Sequence, residues 1–344
     1  MKNKIKEISK KIKKPQNTQL TTVTNSTLEE ERRAVLNNGK KFKYPVQYSK
    51  KKLVISTLII SAAIFIVGSI MFWYQLYVAQ NTGSFTYRIS AVLPLPVGRV
   101  DGQSVKYSDY LLEYRSTMFY TQKMKGALEV SGDEKTLSNQ YKKAAMKNAI
   151  NNAYVSKIAK EKGISVSNEE IEAIFKDHRT ANGVEISEDV FNRTIANNYN
   201  MTSSEYRRLF IELPLLRQKV LVEIDSNAKN LKDQVSKILK ENSNDFSKVA
   251  EILGEKVQVG KMGTVKTSNV DGGRTENALK LKIGEVSDPF VSKTGDGYYF
   301  VKLLSKSEKE LSYEYIKISF TELESRIDSL EKAGKISKYI KIEE

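Results

Sequence analysis

The feature that most constrains this chain is an uncharged apolar segment near its N-terminus. It runs from Leu53 to Tyr74 and reads LVISTLIISAAIFIVGSIMFWY. A helix of about 20 apolar residues spans the roughly 30 Å hydrocarbon core of a bilayer. Trp73, Tyr74 and Tyr77 stand at its far end, where interfacial aromatic residues are common. We therefore predict a transmembrane helix over 53–77, with a cleaved signal peptide or a buried helix as the alternatives.

The charges on either side of this segment predict its orientation. Residues 1–52 carry fifteen Lys and Arg against four Glu, and after Lys52 no charge appears until Arg88. Basic flanks stay in the cytoplasm. We predict a single-pass protein of the cell membrane, with a disordered cytoplasmic tail over 1–52, a stalk over 78–96 and an extracytoplasmic body after it.

The net charge of +15 is concentrated in the tail. The tail carries +11, which leaves only +4 for residues 53–344. The nearly balanced body is not expected to bind nucleic acid. The basic tail is expected to contact the lipid bilayer and its anionic head groups. Binding of the tail to ribosomal RNA or DNA stays open as an alternative.

Composition removes several kinds of chemistry. The chain has no Cys and one His, so Cys/His zinc sites, Cys nucleophiles and disulfides are excluded, and we expect neither metal nor cofactor. The one histidine, His178, stands near a predicted helix end, where a solvated side chain is the simpler interpretation and a general base the alternative. The glycines do not form a phosphate-binding motif.

Residues 97–222 are predicted to form a mostly helical domain. Two short strands joined by an Asp101-Gly102 turn precede a helix that carries Tyr110 and Tyr114 on one side. That side is either core or a binding face. Helical periodicity continues to about Val222, and Pro214 predicts a kink or break in the last helix.

Three strings in this domain carry a family resemblance. They are VGRVDGQSVKYSDYLLEY, ISVSNEEIEAIF and MTSSEYRRLFIELPLLRQKV. In order and spacing they resemble the chaperone domain of the SurA and PrsA type of extracytoplasmic foldase. This resemblance implies that the chain binds unfolded exported polypeptides, for which Tyr110, Tyr114, Phe210 and Leu216 are the candidate contacts.

Residues 223–310 carry a second resemblance. The strings DFSKVAEIL, VGKMG, ENALKLKIGEVSDPF and DGYYFVKLL resemble successive motifs of a parvulin-type peptidyl-prolyl isomerase domain. Their periodicities predict amphipathic helices, a glycine-bent strand and a final hairpin turned at 294–297. A small antiparallel sheet covered by helices follows, so the predicted fold class of the whole chain is α+β.

The parvulin resemblance implies a proline-binding site. Isomerisation of an Xaa-Pro bond needs no nucleophile or metal, only a pocket that favours the twisted amide. The two usual family histidines are absent, and Tyr299 stands at the position of one. Leu279, Met262 and Phe290 are the candidates for the apolar cup, and proline-containing polypeptides are the implied substrates.

The C-terminal residues 311–344 bear on the second candidate tyrosine. The family's first strand is missing after Val222, whereas SYEYIKISF near the C-terminus alternates like a strand, with Ile316, Ile318 and Phe320 on one face. Thr321 and Glu324 predict a capping box that opens a further helix. We hypothesise that this strand completes the sheet from the other end and brings Tyr315 to the second histidine position. A strand and helix packed on the helical domain is the alternative.

Three functions remain open from the sequence. The favoured one is a membrane-anchored foldase or chaperone with a parvulin-like domain of reduced isomerase chemistry. The second is an active peptidyl-prolyl isomerase, against which the missing histidines argue. The third is a non-catalytic envelope scaffold or interaction protein.

Overall fold

The computed structural model describes residues 24–43, 50–124, 133–181 and 184–343. The chain divides into two compact units, residues 1–72 and 73–344. In the first unit helix α1 spans Asn25–Lys43, and its described side chains are exposed. The prediction of disorder is therefore wrong for 25–43. Glu29 and Arg33 are spaced to stabilise a helix, a local effect that the low hydrophobicity of the tail had concealed. Residues 1–23 and 44–49 of the tail lie outside the described residues, and Lys50, Lys51 and Lys52 belong to the next helix.

Helix α2 spans Lys50–Tyr77 and contains the apolar segment. Over Lys51–Tyr77 it is long and apolar enough to cross a membrane. Its apolar side chains up to Met71, such as Ile64 and Phe65, are exposed. This helix is consistent with the predicted single-pass anchor.

The second unit begins with a helix and a small sheet. Helix α3 (Ser84–Val92) lies where a stalk was predicted, and it packs on the helical domain through Tyr87, so the stalk prediction is wrong there. Strands β1 (Pro96–Val100) and β2 (Gln103–Lys106) form the predicted hairpin, with positive φ at Asp101 and Gly102. A two-residue turn of this kind matches the twist of the strands.

Long helices follow this hairpin. The helices of the domain are α4 (Tyr107–Met124), α5 (Glu134–Lys162), α6 (Asn168–His178), α7 (Glu188–Tyr199), α8 (Ser203–Tyr206) and α9 (Leu213–Ile224), with a small hairpin of β3 (Thr180–Ala181) and β4 (Val184–Glu185) after α6. Their core includes Phe175, Ile195 and Ile211. A π-helix, Arg207–Glu212, joins α8 to α9 immediately before Pro214, so the predicted break of the α-helix is confirmed.

A four-stranded antiparallel sheet forms the other part of the second unit. After α10 (Ser226–Glu241), α11 (Phe246–Leu253) and a 3₁₀ turn (Gly254–Lys256), its elements are β5 (Gln258–Lys266), α12 (Arg274–Ala278), β6 (Phe290–Val291), β7 (Gly297–Lys306) and β8 (Glu310–Ser319). The strand order is β5-β8-β7-β6. Strand β8 thus lies inside the sheet, as the hypothesis of completion from the C-terminus requires. The α+β class predicted from the sequence is confirmed.

Alternation along the strands divides the sheet into two buried faces. Tyr298, Phe300, Ile316 and Ile318 pack with α10 and α11, and Phe320 lies against the same cluster. Val301, Leu303, Leu311 and Tyr313 pack with Ala278 of α12 on the opposite face. The sheet therefore has helical cover on both sides, and the second face carries the predicted cup and tyrosines.

The end of the chain returns to the helical domain. Helix α13 (Glu322–Lys332) packs against α9, and β9 (Ile336–Lys338) pairs with β1. Both sequence alternatives for 311–344 are thus partly realised, one by β8 and the other by α13 and β9. The predicted capping box at Thr321 and Glu324 is wrong, because the Thr321 side chain forms no cap hydrogen bond. The Asp225 carboxylate accepts the backbone N–H groups of Thr321 and Glu322 instead.

Candidate functional site

The two tyrosines selected from the sequence lie side by side on the sheet. Tyr299 is on β7 and Tyr315 on the adjacent β8, with ring centroids 6.0 Å apart. Gly260, the register partner of Tyr315 on β5, leaves room for that ring, because a Cβ there would come within 2.3 Å of it. The glycine in VGKMG thus serves this site sterically.

The three predicted cup residues surround the same face. Met262, Leu279 and Phe290 are partly buried against the cluster of Val301, Leu303 and Tyr313. The rings of Phe290 and Tyr299 stack with centroids 6.1 Å apart. The fold therefore brings all five predicted residues to one face of one sheet, although they come from four strands and the end of one helix.

The Tyr299 hydroxyl is already engaged. It donates to Oδ2 of Asp296 over 2.8 Å, and Nζ of Lys317 lies 2.5 Å from the same oxygen. Burial alone would raise the pKa of Asp296, but hydrogen bonds from Lys317, Thr294 and Tyr299 outweigh it and lower that pKa to about 2. Burial and the Asp296 carboxylate raise the pKa of Tyr299, so its proton stays on the phenol. In this arrangement the hydroxyl is not free to donate to a prolyl amide.

Two further residues of the face were not identified from the sequence. Arg274 places its guanidinium carbon 4.9 Å from the ring centroid of Tyr315 and 5.5 Å from that of Tyr299. Asp271 accepts hydrogen bonds from the hydroxyls of Tyr313 and Thr275 and from the backbone N–H of Thr275. Burial would raise the pKa of Asp271, but these hydrogen bonds lower it. The sequence DGGRT did contain a signal for Asp271, because an aspartate just before a helix start commonly accepts backbone N–H groups of the first turn.

This partly buried face combines aromatic, cationic and anionic side chains. Aromatic rings, an arginine over two of them and a carboxylate held by a lysine suit an extended chain with apolar or proline side chains. Among the described parts of the chain, no three His, Cys, Asp or Glu side chains are grouped to hold a metal ion.

A larger concavity lies between the helical domain and the loops of the sheet domain. This cleft has a volume of about 560 Å³. Its walls include the apolar residues Ile174, Phe210, Leu215 and Val270. Val270 is 95% exposed at this wall. Lys293 pairs with Glu276 on its own side of the cleft at 2.8 Å, and it lies 3.5 Å from Asp177 on the opposite side.

A second cavity of about 320 Å³ shares Phe210, Pro214 and Gln218 with the first. It is more polar, with Glu113 hydrogen-bonded by Asn148. Burial raises the pKa of Glu113 to about 7, against the opposing effect of that hydrogen bond. The two cavities are adjacent, and the first is the more apolar of the two.

The predicted client-binding patch is not formed as a patch. Tyr110 and Tyr114 are buried in the core, which confirms the core interpretation of their helix face and removes them as exposed contacts. Leu216 is partly buried and is not among the cleft residues. Phe210 does line the cleft, as predicted. Leu215, one position before the predicted Leu216, lines the cleft in place of Leu216. The helical phase around Pro214 decides between them, and the π-helix shifts that phase.

The one histidine lies at the rim of the cleft. His178 is the last residue of α6 and is exposed, as predicted, with Nδ1 3.2 Å from the Tyr206 hydroxyl. Desolvation by its neighbours lowers the pKa of His178, so at neutral pH it is uncharged.

Comparison with known proteins bears on the helical domain. A family model for the SurA-like N-terminal domain matches residues 46–221, which confirms the resemblance found over the helical segments. The match includes the apolar helix α2 and ends within α9. A search of curated proteins found no match to the chain. Because the family model covers about half of the sequence, the chain belongs to the SurA-like N-terminal domain family.

Proposed function

We propose that this protein is a membrane-anchored extracytoplasmic foldase or chaperone that holds unfolded exported polypeptides in the cleft beside Phe210 and Val270. The cleft is the observation that carries the proposal. It is open and mostly apolar, and it lies in a chain whose family is that of a chaperone domain. Unfolded chains expose the apolar side chains that such a surface can bury.

The anchor and the tail complete the proposal. Helix α2 spans the bilayer, with residues 1–52 in the cytoplasm and the second unit outside. The lysines at the end of the tail attract anionic lipid head groups, each contributing about 1 kcal/mol near a charged surface. A client emerging on the outer side of the membrane then meets a binding cleft that is already tethered there.

The sheet domain acts in this proposal as a parvulin-like binding module. Four observations support it: the strand order, the helical cover on both faces, the pair Tyr299 and Tyr315, and the apolar residues around them. An active isomerase is the second candidate. It is favoured because Tyr299, Tyr315 and the three apolar residues Met262, Leu279 and Phe290 share one face of the sheet. We favour the holding function over isomerase activity because the Tyr299 hydroxyl already donates its hydrogen bond to Asp296.

The test is suppression of aggregation by the full-length protein in lipid nanodiscs. A denatured, proline-containing client is diluted into buffer, and light scattering is followed with and without the protein. We expect scattering to fall with increasing protein. A well-folded protein that leaves scattering unchanged would refute the holding function.

A matched pair of variants assigns the effect to the cleft. Val270→Asp places a charge in the cleft at a position so exposed that folding should not suffer. Burying a valine is worth about 1.5–3 kcal/mol, so we expect apparent affinity for the client to fall at least about tenfold. Ile283→Asp changes an exposed apolar residue outside the cleft and should leave affinity unchanged. Equal losses in both variants would remove the cleft from the proposal.

A further inference from the structure

Helix α3 buries small polar side chains and exposes large apolar ones. Its small polar residues Thr86 and Ser90 are buried, at 3% and 2% exposure. Its apolar residues Phe85 and Val92 are 72% and 81% exposed. Surface helices of soluble proteins show the reverse arrangement, with the apolar stripe inward.

The exposed side of α3 is a continuous stripe. Phe85, Arg88 and Val92 are spaced at i, i+3 and i+7, so they share one face of the helix. Leu93 continues the exposed apolar surface beyond the helix end. The opposite face is held against the protein, since Tyr87 donates from its hydroxyl to Glu205 and the side chains of Thr86 and Ser90 are buried. The contacts of this buried face therefore set the orientation of the helix, and Phe85 and Val92 remain on the exposed face.

The connection from α2 to α3 is short and firmly held. Only residues 78–83 separate Tyr77 from Ser84. Tyr107 donates to the Leu76 carbonyl over 2.6 Å, and Tyr77 donates to the Pro96 carbonyl over 2.7 Å. Arg115 holds the connection by donating to the Thr82 carbonyl and the Ser84 hydroxyl. The last turn of the apolar helix and the start of α3 thus belong to one body.

Exposed apolar and aromatic residues continue through this connection. Trp73, Tyr74 and Val78 are exposed, like Phe85 and Val92. Aromatic residues at the end of a membrane helix mark the lipid–water interface. A short helix that presents apolar residues and a cation at the same level is suited to lie in that interface.

We propose that α3 lies on the extracytoplasmic leaflet, with Phe85, Val92 and Leu93 inserted at the boundary of head groups and acyl chains and the Arg88 guanidinium at the lipid phosphates. This inference rests on the proposed membrane anchoring by α2. We assign the bilayer as the surface that α3 contacts, because the exposed stripe begins at Phe85, only eight positions after the end of the apolar helix at Tyr77. Contact at α3 in addition to α2 fixes the body against rotation and holds the cleft in a constant orientation to the membrane.

Site-directed spin labelling tests this directly, because the chain has no cysteine and each label position is unique. The variants are Phe85→Cys and Val92→Cys in the full-length protein. It is reconstituted in vesicles of phosphatidylcholine with a minority of phosphatidylglycerol. Collision rates with oxygen, which concentrates in the bilayer, and with a water-soluble nickel chelate are measured for each label. Both positions are highly exposed, so neither label disturbs the core.

We expect nickel-chelate collisions at residues 85 and 92 to fall several-fold below those at an Ile252→Cys control, with oxygen collisions raised. Ile252 is exposed and apolar on α11 and serves as the aqueous reference. Nickel accessibility equal to the control, or protection from both reagents as in a protein–protein contact, would overturn the inference.

An Ile64→Cys label separates this inference from the proposal beneath it. Ile64 lies within the apolar segment and should collide with oxygen and not with nickel. If it does so while residues 85 and 92 collide with nickel, only the docking of α3 fails. If Ile64 itself is open to nickel, the anchoring by α2 fails and the docking of α3 fails with it.

Discussion

The carboxylate of Asp225 accepts a hydrogen bond from the backbone N–H of Thr321, 96 positions later in the chain, over 2.7 Å. Its other oxygen accepts the N–H of Ala228 over 2.9 Å and thereby caps α10. The same side chain also receives the N–H of Glu322 at the start of α13. One buried carboxylate thus caps two helix starts and links the helical domain, the sheet domain and the C-terminal segment.

Replacing this residue should be costly. Asp225→Ala removes an acceptor shared by three N–H groups at two helix starts, so we expect the free energy of unfolding to fall by about 2–4 kcal/mol. Thr321→Ala is the control, since its exposed side chain forms no cap hydrogen bond and should cost less than about 0.5 kcal/mol. Denaturant unfolding followed by circular dichroism measures both. Equal effects would show that the Asp225 cap contributes little.

The pair Asp296 and Lys317 predicts a pH dependence. The pKa of Asp296 is lowered from 3.8 to about 2, so its ionised form favours the folded state. This contribution is present above about pH 4 and is lost as pH falls toward 2. Asp296→Asn should therefore lower the denaturation midpoint at pH 7, and the difference from wild type should shrink near pH 2. A difference that is constant from pH 7 to pH 2 would contradict the assigned ion pair.

The end of the apolar helix should stabilise the second unit. Leu76 is 1% exposed and is covered by the second unit. Leu76→Ala should lower the free energy of unfolding by about 2–5 kcal/mol, because it leaves a cavity in that core. Val78→Ala, at a half-exposed position nearby, should have little effect. Thermal unfolding in nanodiscs compares the two variants. For the same reason, a stable fragment of the second unit should begin before Leu76.

The engaged Tyr299 hydroxyl predicts weak isomerase chemistry. Exchange of a short Xaa-Pro peptide, followed by NMR, takes tens to hundreds of seconds without a catalyst. We expect the full-length protein to leave this rate nearly unchanged and Tyr299→Phe to behave in the same way. Acceleration by wild type that Tyr299→Phe abolishes would favour the isomerase over the holding function. It would also mean that the hydroxyl leaves Asp296 when substrate binds.

Local patterns in the sequence were sufficient for much of this protein. The apolar segment predicted the helix now seen over Lys50–Tyr77, because the length and hydrophobicity of one continuous run set its structure. The alternation through Ile316 and Ile318 predicted a strand with one buried face. Periodicity reports side-chain direction within an element, so it was reliable for elements and faces, and resemblance supplied the SurA-like domain.

Tertiary structure decided the features that depend on segments distant in sequence. The central place of β8, the capping of two helices by Asp225 and the engagement of Tyr299 with Asp296 and Lys317 each join residues from different elements. The burial of Tyr110 and the reversed exposure of α3 also follow from neighbours that periodicity does not identify. An apolar stripe shows that a face is covered, but only the packed chain determines whether protein covers it or, as we propose for α3, lipid.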